Sequence, residues 1–193
     1  MPKSDKQWLR RHVTDPYVRK AHEQGFRSRA AFKLLEIDAK EKLLRPGITV
    51  LDLGAAPGGW SQVAARKGAR VIAIDLLDMA PIPGVTVLKG DFRAIPLDEK
   101  ADLVLSDLSP NLSGVRDTDQ ARAAELTHAA IELCQRVLKP DGAFLVKLFH
   151  GERFEALRKE LMAAFQTVVA KKPAASRGES RENYVLARGL KGH

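Results

Sequence analysis

Short apolar runs alternate with longer stretches in which apolar residues recur every three or four positions, and the alternation is sustained from about residue 48 to the C-terminal region. Residues 48–53 (Ile-Thr-Val-Leu-Asp-Leu) read as a first strand, followed at once by Gly54-Ala-Ala-Pro-Gly-Gly59. A helix over 60–66 follows, then strands at 70–75, 85–88 and 102–106. These strands are β-branched or Leu-rich on both faces, which suits a parallel sheet covered by helices on each side, the layering of α/β domains. A long helix over 118–138 buries Leu126, Ala130, Leu133 and Val137 at three- and four-residue spacing, and Lys139-Pro140-Asp141-Gly142 stops it. The pattern then gives a strand at 143–149, a helix at 153–165 and strands at 167–170 and 184–187. The last two are joined mostly by a polar loop, as in an antiparallel edge hairpin. Upstream, Ser28 is the expected N-cap of a helix reaching about residue 44, with Ala31, Leu34 and Leu35 facing inward. Residues 1–25 are polar and poor in periodicity and predict no element. The expected organisation is therefore a basic arm over 1–25 and one domain over 26–193, a single core being within reach of 193 residues of which 45% are hydrophobic.

Charge sharpens this picture. The chain carries 32 Lys and Arg against 24 Asp and Glu, a net +8. Residues 1–33 hold Lys3, Lys6, Arg10, Arg11, Arg19, Lys20, Arg27, Arg29 and Lys33 against Asp5, Asp15 and Glu23, so six of the eight net charges lie there. Such a segment, with Trp8 and Tyr17 interspersed, can follow phosphates and stack on bases, or act only as a solubilising tail. Cys134 has no second cysteine to pair with and reads as a core residue in a reducing compartment. The five histidines show no ligand spacing, so no structural metal is expected. No apolar run reaches the roughly 18 residues of a membrane span, and the expected location is cytoplasmic.

The glycine-rich turn after the first strand carries the first chemical signal. Glycines there let a backbone approach a ligand closely and expose helix N-terminal amides to it. The spacing from Gly54 is G-x-x-x-G-G, interrupted by Pro57, whereas a dinucleotide fingerprint requires G-x-G-x-x-G. A nicotinamide-dependent oxidoreductase is disfavoured on that ground. Asp75, ending the second strand about 20 residues on, is placed to accept from ribose hydroxyls, or is simply a strand-end carboxylate. Asp91, in Gly90-Asp-Phe-Arg93, lies at the same sheet edge and suits an adenine amino group, or is an ordinary turn residue. Lys147 interrupts an apolar strand, where an ammonium must reach solvent or find a partner. Asp107, at the end of a neighbouring central strand, is such a partner.

Taken in order, Leu53-Gly-Ala-Ala-Pro-Gly-Gly-Trp-Ser-Gln62, Ile74-Asp-Leu-Leu77, Gly90-Asp-Phe-Arg93, Ser106-Asp-Leu-Ser-Pro-Asn-Leu-Ser-Gly114 and Ser180-Arg-Glu-Asn-Tyr184 resemble the FtsJ-type ribosomal RNA 2′-O-methyltransferases, over residues 28–188. The resemblance implies a Rossmann-like sheet of seven strands, mostly parallel with the last antiparallel, and S-adenosylmethionine as methyl donor, leaving S-adenosylhomocysteine. It implies a catalytic tetrad at Lys33, Asp107, Lys147 and Glu182, and cofactor contacts at Gly58, Trp60, Asp75, Asp91 and Asp107. It also implies a target in large-subunit (23S) ribosomal RNA, a uridine met on the large ribosomal subunit. One departure stands out: Glu179 is an extra acid where the family's pattern is often basic.

The implied reaction is an in-line displacement by a ribose oxygen, for which good positioning is worth about 7–11 kcal/mol. Lysine is ordinarily protonated at neutral pH, so Lys147 as proton acceptor has to be supplied as the neutral amine. A nearby Lys33 favours that form, and Asp107 and Glu182 oppose it. Lys147 is the expected acceptor, with a protonated, alkoxide-stabilising Lys147 as the alternative. Transfer RNA as the methylated substrate and a non-catalytic RNA-binding assembly factor are the rival functions. A monomer is expected by default.

Overall fold

The computed structural model describes residues 15–110, 113–151, 153–176 and 182–192. In chain order the elements are α1 (Pro16–Glu23), α2 (Ala30–Glu41), β1 (Thr49–Leu53), α3 (Gly59–Arg66), β2 (Arg70–Asp75), β3 (Val85–Lys89), β4 (Ala101–Ser106), α4 (Arg116–Val137), β5 (Leu138–Phe149), α5 (Phe154–Ala164), β6 (Phe165–Lys171) and β7 (Glu182–Leu190). Seven strands form one sheet in the order β3-β2-β1-β4-β5-β7-β6, with β7 antiparallel to both of its neighbours and the other pairs parallel. The expected hairpin is present, but its second strand is inserted between β5 and β6. The sheet edge is therefore β6, and β7 is an interior strand.

Period-two alternation sorts side chains onto two covered faces. Leu51, Leu53, Val104, Phe144, Val146, Leu148 and Val185 pack under α4 and α5 with Ala130, Leu133, Cys134 and Leu161. Val50, Leu103, Leu105, Leu145, Tyr184 and Leu186 pack under α2 and α3 with Ala31, Leu34, Trp60 and Val63. Lys147 is two residues beyond Leu145 on β5, so the same alternation sends it to the α2/α3 face.

Three expectations about local structure require correction. Ser28 does not cap α2: the N-cap is Arg29, without a side-chain cap bond, and Ser28 Oγ is shielded from solvent with no hydrogen-bond partner. Close packing explains this, because Ser28 Oγ lies 2.4 Å from where a Cβ on Gly59 would stand. Within the segment for which no element is expected, residues 16–23 form α1, capped by Asp15, whose carboxylate accepts from Tyr17 N at 3.0 Å, and started by Pro16. Ala21 packs with Phe32 and Ala175, and the Tyr17 ring lies 5.6 Å from that of Phe32. Lys3, Lys6, Trp8, Arg10 and Arg11 fall outside the described residues. Finally, β5 starts at Leu138, paired with Ala101, and bulges over 139–142 before Ala143 rejoins the ladder opposite Leu103.

Candidate active site

Parallel strands deliver their carboxyl ends to one edge, and the first group there is a carboxylate held by backbone amides. Asp75 ends β2; its Oδ2 accepts from Ala56 N at 2.9 Å and its Oδ1 from Leu77 N at 2.8 Å. It thereby fixes the glycine turn relative to the loop after β2. Gly58, the N-cap of α3, has φ 106°, a conformation that disfavours any side chain, and a Cβ there would lie 2.7 Å from Ile82 Cδ1 and 2.9 Å from Met79 Sδ. Gly59 and Trp60 open α3, where backbone N–H groups have no intrahelical acceptor. Gly90 N donates to Asp75 O at 2.8 Å, which sets Asp91 at the same edge. The Asp91 carboxylate is engaged by Arg93, with Nε at 2.9 Å and the backbone N at 3.0 Å, and these bonds hold its pKa below the usual range. Acceptor oxygens beside helix-start amides that lack an intrahelical acceptor make a donor and acceptor set suited to a nucleoside carrying a charged amino-acid tail.

The Trp60 indole faces away from this turn. It is 3% exposed, donates from Nε1 to Ala30 O at 2.8 Å, and stands with its ring 5.6 Å from that of Tyr184. What Trp60 can offer a ligand at the turn is its backbone.

A second cluster occupies the middle of the same edge. Asp107 follows β4 directly, and Ser106 is paired with Val146, so the next residues of the two strands, Asp107 and Lys147, stand side by side. Lys147 Nζ donates to Asp107 O at 3.0 Å and lies 3.2 Å from Asp107 Oδ1. Antiparallel β7 sets Tyr184 opposite Lys147 and Glu182 opposite Phe149. Tyr184 OH donates to Asp107 Oδ1 at 3.0 Å and accepts from Lys33 Nζ at 2.9 Å, and Lys33 Nζ also donates to Glu182 Oε2 at 3.0 Å. The four sequence-designated residues thus belong to one chain of contacts, Glu182–Lys33–Tyr184–Asp107–Lys147. Its cations are buried, Lys33 being 9% and Lys147 7% exposed, and are satisfied by partners, as buried charge requires. Glu179 lies outside the described residues; Glu182 makes the contact with Lys33.

Tyr184 is the member that sequence reasoning missed. It reads as one more apolar residue of a strand, and its role follows from a register between distant segments. Burial pushes the Tyr184 hydroxyl far above its usual range, helped by the neighbouring Asp107 and Glu182 charges, so it remains a phenol that donates to Asp107. Asp52 was also unmarked. It is buried on β1, accepts from Ser61 Oγ at 2.6 Å through Oδ2, and has no partner for Oδ1. Burial pushes its pKa up to about 7, with Asp107 and Asp75 adding to the rise and the Ser61 hydrogen bond opposing it.

Comparison with known proteins agrees with this architecture. The FtsJ-like methyltransferase family matches residues 26–190. The chain belongs to that family. It is 54% identical over 201 residues to ribosomal RNA large subunit methyltransferase E of Alcanivorax borkumensis, covering 98% of this chain and 97% of that protein. Identity to the protein of the same name from Thiobacillus denitrificans is 54% over 198 residues, covering 96% of this chain and 90% of that one. Among solved structures, one described as a ribosomal RNA methyltransferase from Plasmodium falciparum superposes with a TM-score of 0.77 at 29% identity, over 87% of this chain and 100% of that chain. No helix among the described residues is long and apolar enough to cross a membrane.

Proposed function

We propose that this FtsJ-like methyltransferase transfers a methyl group from S-adenosylmethionine to a ribose 2′-hydroxyl of a uridine in large-subunit (23S) ribosomal RNA, acting in the cytoplasm as a monomer on the large subunit. The observation that carries this reading is the Glu182–Lys33–Tyr184–Asp107–Lys147 chain, with Lys33, Tyr184 and Lys147 buried, at the sheet edge that also carries the glycine turn and Asp75. The near-full-length similarity to large-subunit methyltransferases supports the choice of RNA.

S-adenosylmethionine supplies an electrophilic methyl group on a sulfonium. Asp75 serves the ribose of the cofactor and Asp91 its base, while the backbone of Gly58 and Trp60 and the Asp107 side chain serve its amino-acid end. Lys147 is the proton acceptor. Nζ donates to Asp107 O at 3.0 Å and lies 3.2 Å from Oδ1, which holds it in place, and as the neutral amine it would offer its lone pair to the ribose hydroxyl. Asp107 orients that amine, Tyr184 orients Asp107, and Lys33 and Glu182 hold Tyr184 and the approach to the site.

The test is transfer of labelled methyl groups to unmethylated large subunits, free ribosomal RNA and transfer RNA, with wild type and Lys147→Ala side by side. Label on the ribosomal substrates that vanishes in the variant is the expected result. Label confined to transfer RNA would keep the chemistry and overturn the substrate, and no label with no cofactor binding would overturn the methyltransferase reading.

A further inference from the structure

The loop after β2 has little packing of its own. Leu76 and Leu77 are 64% and 67% exposed, and its inward contacts are Met79 and Ile82 resting on Gly58. Beside the Lys89–Asp78 pair from the adjacent strand, a charged side chain from a more remote part of the chain also reaches it. Arg27, in the connection between α1 and α2, donates from Nη1 to Ala80 O at 2.6 Å and from Nη2 to Pro81 O at 2.6 Å. The same Nη1 contacts Pro57 O, on the glycine turn, at 3.3 Å. One guanidinium therefore ties the glycine turn to the loop opposite it, and Arg27 Cδ lies 3.3 Å from where a Gly58 Cβ would be.

The other end of the brace is anchored. Arg27 N donates to Gln62 Oε1 at 3.0 Å, and Gln62 Nε2 donates back to Gly25 O at 2.8 Å. Arg66 Nη2 donates to Gly25 O at 3.0 Å, with its guanidinium 4.6 Å from the centre of the Phe26 ring. Residues 24–27 are thus held on α3, and the Arg27 head is projected from there across the turn.

We infer that Arg27 is a positioning residue for the cofactor: it clamps the loop over 76–84 onto the glycine turn and so sets the width of the S-adenosylmethionine site, although its place in a basic segment suggests a phosphate contact. Three carbonyl dipoles converge on one cation, so removing the guanidinium leaves them mutually repulsive and frees the loop to move from Gly58. Lysine, a point donor without the planar fork, restores part of the clamp. The inference rests on the proposed cofactor.

Calorimetric titration with S-adenosylmethionine and S-adenosylhomocysteine, paired with filter binding of the RNA substrate, separates the two roles in wild type, Arg27→Ala and Arg27→Lys. The expected result is a cofactor Kd raised about tenfold in Arg27→Ala and less in Arg27→Lys, the loss of roughly one charged hydrogen bond. RNA affinity stays within about twofold, and kcat at saturating cofactor is retained. A cofactor Kd unchanged in both variants, with RNA binding weakened, overturns the inference and makes Arg27 a phosphate contact. Should Arg27→Ala not fold, the comparison of Arg27→Lys with wild type decides in the same way. Failure of the wild type itself to bind either ligand would instead strike the proposed function.

Discussion

Tyr184 donates its hydroxyl hydrogen to Asp107 Oδ1 across 3.0 Å from a position with no solvent exposure. The Tyr184 hydroxyl oxygen accepts from Lys33 Nζ, so a single phenol joins one lysine of the site to the carboxylate that holds the other. Replacing it by phenylalanine keeps the ring against Trp60 and leaves Asp107 and Lys33 each one bond short. Tyr184→Phe is expected to lose about 1–3 kcal/mol of stability in denaturant titration. Its kcat should fall about tenfold or more with a smaller rise in the cofactor Kd, because Asp107 loses one partner while the glycine turn and Asp75 keep theirs.

In the proposed mechanism proton handling and cofactor binding meet only at Asp107, and Lys147→Ala tests how far they separate. Loss of a positioned general base costs about 10²–10⁴ in rate. Single-turnover methyl transfer should fall by that amount, with S-adenosylmethionine binding preserved in calorimetry.

Asp52 makes stability depend on pH in a defined direction. Its folded-state pKa is about 7, raised from the unfolded value of 3.8, so the folded state binds the proton more tightly. The associated stability is complete below about pH 4 and is lost as pH rises through 7. Asp52→Asn removes the ionisation and keeps an oxygen for Ser61. Thermal melts should show the variant gaining on wild type between pH 5 and pH 9, by an amount on the order of a few kcal/mol. Parallel melting curves across that range would contradict the assignment.

Gly58→Ala adds a methyl group where φ is 106° and where Ile82 and Met79 already stand within 3 Å of it. Strain and overpacking together should cost about 1–3 kcal/mol. The same change displaces the loop from the turn, so cofactor Kd should rise in parallel, measured by the same titration as for Arg27.

The strands β1, β2 and β4 were legible because each is apolar on both faces, as suits a covered parallel strand, and edge strand β3 was legible as the β-branched run Val85-Thr86-Val87. Lys33, Asp107, Lys147 and Glu182 were legible through short motifs that survive in the linear sequence. Tyr184 and Arg27 were not, since each acts through a partner far away in the chain: Tyr184 through the β5–β7 register and Arg27 through carbonyls 30 to 54 residues on. Helix α1 escaped for the same reason. Its one buried residue, Ala21, meets Phe32 and Ala175, and together with Tyr17 beside Phe32 it gives eight residues too few apolar positions to show a period. Insertion of β7 inside β6 is likewise a matter of pairing, which alternation along one strand does not encode.

Alkaline hydrolysis of the labelled RNA product shows whether the methyl group goes to a ribose 2′-oxygen. A 2′-O-methyl group removes the nucleophile that cleaves the adjacent phosphodiester. After reaction with unmethylated large subunits, the label is predicted in an alkali-stable dinucleotide containing uridine, and absent when Lys147→Ala is used. Label recovered in a mononucleotide would place the methyl group on a base and contradict ribose methylation.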